Sequence, residues 1–186
     1  MAVKLGPAGV PLSCKGRTIV EGMDDIISLG LETMEVQTVR MVSPQHFEQY
    51  WQAGVLAHKT GFEMNIHGPY YSELLGDRLQ RNRSLAKVEA ALQAAKTINA
   101  RHVTLHAGHY GEMGRGQAAN EQVASVFKGI VQRVHDIWND DEDEYPVFPW
   151  LKEGTASKIG VETSGRQELW GSLEEVLEVV NHVEGT

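Results

Sequence analysis

Four short runs in this chain alternate apolar and polar residues in step, and helix-like stretches separate them. In Thr33-Met34-Glu35-Val36-Gln37, Met34 and Val36 oppose Glu35 and Gln37. In Phe62-Glu63-Met64-Asn65-Ile66-His67, Phe62, Met64 and Ile66 oppose Glu63, Asn65 and His67. In His102-Val103-Thr104-Leu105-His106, Val103 and Leu105 oppose His102, Thr104 and His106. In Ile159-Gly160-Val161-Glu162, Ile159 and Val161 oppose Gly160 and Glu162. Successive strand side chains point to opposite faces, so each run offers one apolar side to pack and one polar side aimed elsewhere. A doubly wound open sheet buries both faces and its strands read as continuous Val, Ile and Leu. These runs do not.

Strand and helix signals alternate along the chain. A short first strand is expected near Val3–Leu5, leading into a loop over 6–17. Helices are expected near Gly22–Leu29, Pro44–Lys59, Asp77–Ile98, Gln117–Trp138 and Leu173–His182, with the strands Thr33–Val39, Phe62–His67, His102–His106 and Ile159–Glu162 between them. The Gln117–Trp138 stripe includes Val123, Val126, Phe127, Ile130, Val131 and Val134. Five strand–helix units imply an α/β fold with a parallel sheet and right-handed crossovers. With a polar inner face and apolar residues turned toward outer helices, that sheet suits a (β/α) barrel of the TIM type. A complete barrel has eight units and about 250 residues. The 186 residues supply about five units, so the expectation is a single domain, 1–186, forming the N-terminal part of such a barrel. Gly185 reads as a helix stop.

Charge and composition narrow the partners. The net charge is −8, from 25 acidic and 17 basic residues, so binding to nucleic acid would need a local basic patch. Part of the acidity is concentrated at 139–146, which reads as a solvated loop. The single cysteine, Cys14, excludes an internal disulfide framework and suits a reducing compartment. No apolar run is long enough to span a bilayer, and no apolar leader follows a basic N-terminus. The reading is a cytoplasmic protein with no membrane partner.

Three polar residues at strand ends carry the chemistry. His67 precedes Gly68-Pro69, which ends its strand. His106 precedes Ala107-Gly108, and Glu162 precedes Thr163-Ser164. In barrels of this kind, active sites sit at the carboxyl ends of the strands. Two imidazoles and one carboxylate at one height make a divalent-metal set. Each also has a plainer use: His67 bonded to a loop carbonyl, Glu162 paired with Arg166. His109 is either a partner behind the ligands or a loop histidine, and His102 is expected to bond inside the core.

Gly6-Pro7-Ala8-Gly9, Glu35-Val36-Gln37, His67-Gly68-Pro69-Tyr70-Tyr71, His106-Ala107-Gly108 and Val161-Glu162-Thr163-Ser164-Gly165-Arg166-Gln167 together resemble the endonuclease IV family, in its archaeal-type members within the xylose-isomerase-like barrels. The likeness runs along nearly the whole chain, and the His67 and Glu162 motifs are the specific ones. It implies a DNA repair endonuclease that hydrolyses the phosphodiester 5′ to an abasic site in double-stranded DNA, with up to three zinc ions. His67 and His106 would hold one zinc and Glu162 would bridge it to a second, so these three would be catalytic as well as metal ligands. Zinc lowers the pKa of bound water to about 7 and neutralises charge on the attacked phosphate. Tyr70 and Tyr71 would enter the duplex at the lesion, and Gln37 and Arg40 would contact DNA. Tyr71 could equally pack under a loop, and Arg40 could equally be a solvated cation. Arg78, Arg81, Arg83 and Lys87 form either a phosphate track or a solvated helix face.

The family's remaining ligands come from strands six to eight, which have no counterpart here. The expectation is therefore a chain that is inactive alone, liganding at most one or two ions in part. Two other readings stay open. One is a metal-dependent sugar isomerase or epimerase on the same barrel. The other is a non-catalytic metal-binding fragment that self-associates through open sheet edges.

Overall fold

The computed structural model describes residues 3–16, 18–42, 46–139 and 156–184. Capping chemistry sets the helix starts. Helix α1 spans Ile19–Ser28; Thr18 Oγ1 accepts from the Glu21 backbone N–H, and Glu21 answers with a carboxylate on the Thr18 N–H. Asp77 and Gln80 repeat the device at α3, Arg78–Ile98. Helices α2, Phe47–Thr60, and α3 end at Gly61 and Asn99, both in the left-handed region. Helix α4 spans Gln117–Trp138 and α5 spans Leu173–Glu184.

The four expected runs form strands β1, Thr33–Gln37; β2, Glu63–His67; β3, His102–Leu105; and β4, Lys158–Val161. They lie in the order β1-β2-β3-β4, all parallel. Helices cover one face. Met34, Val36, Met64, Ile66, Val103 and Leu105 are buried there against Met23, Ile26, Ala53, Leu92, Val123 and Phe127. Each such side chain stabilises the fold by about 1.5–3 kcal/mol. The other face is polar, with Glu35, Asn65 and Thr104 only partly covered. Sequential parallel pairing with helices on one face is an incomplete TIM barrel, as the periodicity implied.

The structure departs from the expected elements at the start. Val3–Leu5 is not a strand. The segment runs beside β1 through separate hydrogen bonds: Glu32 N–H to Leu5 O, Glu35 N–H to Pro7 O, and Gly9 N–H to Glu35 O. Pro7 has no N–H to give, and Gly6 lies so close to β1 that a Cβ would meet Thr33 O at 1.7 Å. His102 is not in the core either. It is exposed, bonded to Asn65 Oδ1 through Nδ1 at 3.2 Å, because among the described residues nothing closes over the polar face. Val131, placed in the α4 stripe, is exposed. The acidic run from 140 to 146 and Gly185 lie outside the described residues. Among those described, no helix is long and apolar enough to cross a membrane.

Candidate metal centre

Strand β2 delivers His67 to the carboxyl edge of the sheet, where it aligns with Gln37 of β1 and Thr104 of β3. The chain turns sharply there. Gly68 N–H bonds to Thr104 O at 2.8 Å, and any side chain at Gly68 would meet Leu105 at 2.4 Å. His67 is buried, and its Nδ1 lies 2.9 Å from Gly68 O. A carbonyl only accepts, so Nδ1 carries the proton. In the neutral ring, Nε2 is then a bare lone pair. It stands 2.9 Å from Glu162 Oε2, an acceptor facing an acceptor.

His106 follows β3, and Glu162 follows β4, whose Glu162 N–H bonds to Leu105 O at 3.0 Å. The His106 Nε2 is 3.4 Å from the same Glu162 Oε2, buried, and without a hydrogen-bond partner. Burial holds the His106 imidazole below its ordinary pKa; Glu162 opposes that and His67 adds to it. Two imidazole Nε2 atoms and a carboxylate oxygen converge here, an arrangement that a divalent cation can satisfy. Ligands about 2.0–2.2 Å from a shared tetrahedral zinc stand roughly 3.3–3.5 Å apart. The ligand atoms of His67, His106 and Glu162 all lie within 4.8 Å of one another. This group can hold a divalent metal ion, and the orphaned His106 nitrogen is the observation that fits one. The Gly68 carbonyl fixes the His67 tautomer, as outer partners of metal-bound imidazoles do.

The plainer uses of these residues fare differently. His67 does bond a loop carbonyl, and that bond turns its other nitrogen inward. Glu162 makes no ion pair with Arg166; its carboxylate faces the imidazoles. His109 lies behind neither ligand and pairs instead with Glu73, a residue the sequence reading did not single out. No periodicity marks Glu73, since it sits in a loop.

A cleft of about 270 Å³ opens beside the group, lined in part by Tyr70, Tyr71, Glu73, His106, His109 and Glu162. Interlocking loops make its walls. Trp170 N–H bonds to Gly108 O at 3.0 Å, Ser164 N–H to Gly171 O at 2.7 Å, and the buried Trp170 donates through Nε1 to Asn120 at 2.8 Å. Tyr70 stacks on His67, with ring centres 6.1 Å apart, and meets His106 edge-on at 5.0 Å. Gln37 ends β1 and donates to Glu35 Oε1; Arg40 follows on the surface. Neither lines the cleft. Arg78 and Arg83 are exposed, while Arg81 lines an outer groove between α3 and α4, away from the ligands.

Solved structures with a similar arrangement of strands and helices include an epimerase-like protein, an epimerase and an endonuclease. A D-tagatose 3-epimerase-like protein matches with a TM-score of 0.65 at 16% identity, over 96% of this chain and 60% of its own. A 3-keto-D-glucoside 4-epimerase from E. coli matches at 0.63 and 11%, over 95% and 64%. Endonuclease IV from Thermus thermophilus matches at 0.59 and 20%, over 93% and 58%. The chain spans about three fifths of the length of each, and identities this low speak for the fold alone. No curated protein matches the sequence. The family model described as xylose isomerase-like TIM barrel matches residues 23–185, nearly the whole chain, and the chain belongs to that family.

Proposed function

We propose that this chain carries one metal site of a zinc-dependent endonuclease acting 5′ to abasic sites in double-stranded DNA. The observation that supports it is the tyrosine pair built onto the ligand group. Tyr70 is 49% exposed while stacked against His67, and Tyr71 is 63% exposed, edge-on to Tyr70 at 5.4 Å. Aromatic rings held in water beside a metal site gain little from packing. Stacking a nucleobase on such a ring is worth about 1–3 kcal/mol. The His67-Gly68-Pro69-Tyr70-Tyr71 motif resembles endonuclease IV at this spot.

A bound zinc would supply Lewis-acid charge for the phosphate and activate water. The chain's own residues do the rest. His67 and His106 present Nε2, and Glu162 presents Oε2. Gly68 O holds the His67 ring in place. Tyr70 and Tyr71 occupy the space left by the missing base, which favours an extruded sugar. Gln37 and Arg40, on the same end of the sheet, contact backbone phosphate. The described residues form one three-ligand group, so we expect these 186 residues to bind the lesion without cutting it.

Fluorescence anisotropy with a duplex holding one tetrahydrofuran abasic analogue, plus zinc, tests the reading. Binding should exceed that of an intact duplex by about tenfold, should vanish in Tyr70→Ala/Tyr71→Ala, and should leave the strand uncut. Equal affinity for both duplexes would end this assignment.

A second reading is a metal-dependent sugar epimerase or isomerase. The cleft volume, about 270 Å³, lies near the lower end of small-ligand pockets, about 300 Å³. Two of the matched structures are named for sugar epimerases. Under that reading the metal is labile manganese rather than tightly held zinc, and a ketohexose raises the melting temperature while duplex DNA does not bind.

A further inference from the structure

Glu73 and His109 line the cleft beside the metal group yet belong to neither its ligands nor the tyrosine pair. His109 Nδ1 donates to Glu73 Oε1 at 2.7 Å, and the His109 backbone N–H donates to Glu73 Oε2 at 3.0 Å. One carboxylate thus holds His109 twice, through the ring and through the backbone. The surrounding loops hold it as well. Leu74 N–H bonds to Ala107 O at 2.8 Å, and His109 pairs with Leu169 in an antiparallel bridge. Gly108 sits at φ +94°, where a Cβ would meet Ser72 O at 2.1 Å, so the two loops can mesh only with glycine there.

The His109 side chain is nevertheless 57% exposed. Exposed pairs add little to stability, so folding alone does not call for so much apparatus. The tautomer is fixed by chemistry. Glu73 accepts at Nδ1, so the neutral ring offers Nε2 as an acceptor. Among the described residues no hydrogen bond uses that nitrogen. An acceptor held at the wall of a cleft, next to acidic residues, is matched by a hydroxyl rather than by an anion.

We propose that His109 Nε2 accepts a hydrogen bond from a sugar hydroxyl bound in the cleft, with Glu73 as its positioning residue. This rests on the nuclease reading, under which the hydroxyl is the one at C1′ of an abasic deoxyribose. That group distinguishes a true abasic site from an intact nucleotide and from a tetrahydrofuran analogue.

The test compares two duplexes that differ only there: one with a natural abasic site, one with tetrahydrofuran, each titrated against the zinc-loaded chain. The wild-type chain should favour the natural site by about tenfold. His109→Phe, which keeps a ring but removes the acceptor, should bind both duplexes alike while its tetrahydrofuran affinity stays within about twofold. Glu73→Gln, which can still accept from Nδ1, should retain part of the preference. Zinc affinity by chelator competition should be unchanged in both variants, showing that the site is folded. An equal preference in wild type and His109→Phe overturns the inference and leaves the nuclease reading standing. If neither duplex binds, the nuclease reading fails; a ketohexose bound about tenfold more weakly by His109→Phe would then keep the hydroxyl contact with a free sugar, and no such difference would overturn it.

Discussion

Glu162, just past β4, and Glu175, in the first turn of α5, are satisfied in opposite ways. Glu175 is buried and surrounded by donors. Tyr110 Oη lies 2.7 Å from both of its oxygens and shares its one proton with them, and the Ser172 and Gly171 N–H groups donate at 2.9 and 3.3 Å. Burial pushes its carboxyl pKa up, but the Tyr110 hydroxyl and the backbone donors outweigh that and hold it below the usual carboxylate range. Burial and Glu175 together push the Tyr110 hydroxyl up. Glu162 faces two imidazole nitrogens instead, one of them buried with no partner. The first carboxylate caps α5; the second belongs to a group that can hold a metal ion. Buried polar groups are paired as a rule, so the unpaired His106 nitrogen sets the Glu162 group apart from the satisfied cap at Glu175.

The largest expected effect breaks the contrast from the Glu162 side. Even partners behind a metal ligand are worth about 10–100-fold in metal affinity. Glu162→Ala should therefore lower zinc affinity by more than about 100-fold in a chelator competition, while Glu175→Gln leaves it unchanged. A small loss in Glu162→Ala would mean that Glu162 is not a ligand.

Next comes stability. Glu175→Gln leaves donors facing a weaker acceptor at the start of α5 and should cost about 1–3 kcal/mol in urea unfolding. Tyr110→Phe removes the hydroxyl donor and should cost a comparable amount, about 1.5–3 kcal/mol. The double variant should cost less than the sum if the two act as one unit. Full additivity would show that they do not.

The pH dependence sharpens the same point. The folded pKa of Glu175 is depressed below the ordinary 4.5, so its stabilisation is present above that value and is lost as pH falls through the folded one. The stability gap between wild type and Glu175→Gln should be full at neutral pH and close in acid. A gap that persists at the lowest pH at which both fold would mean that charge is not the cause.

The smallest effect concerns the sheet edge. β4 ends the sheet among the described residues, and we expect weak self-association there at high concentration, visible in light scattering. A monomer at every concentration would show that the edge is protected.

Much of the barrel could be read before any coordinates. Helix α4 begins and ends at the residues its apolar stripe implied, Gln117 and Trp138. The strand phase placed Met34, Val36, Met64, Ile66, Val103 and Leu105 on one side, and all are buried. The Val3–Leu5 strand failed because alternation in a short run says nothing about the proline and glycines that follow it. The core reading of His102 failed because phase tells which face a residue takes, not whether anything covers that face.

By itself the sequence determined the period of each element, the face each strand buries, and the residue types set at strand ends. Those are local matters, governed by backbone geometry and the transfer of apolar surface from water. Only the tertiary structure decided that His67, His106 and Glu162 bring their ligand atoms within 4.8 Å of one another, that Glu162 turns to the imidazoles and not to Arg166, and that Glu73 reaches His109 from another loop. Those contacts join residues 36 to 95 positions apart. Their distances follow from how the strands pair and the loops mesh, which no run of neighbouring residues encodes.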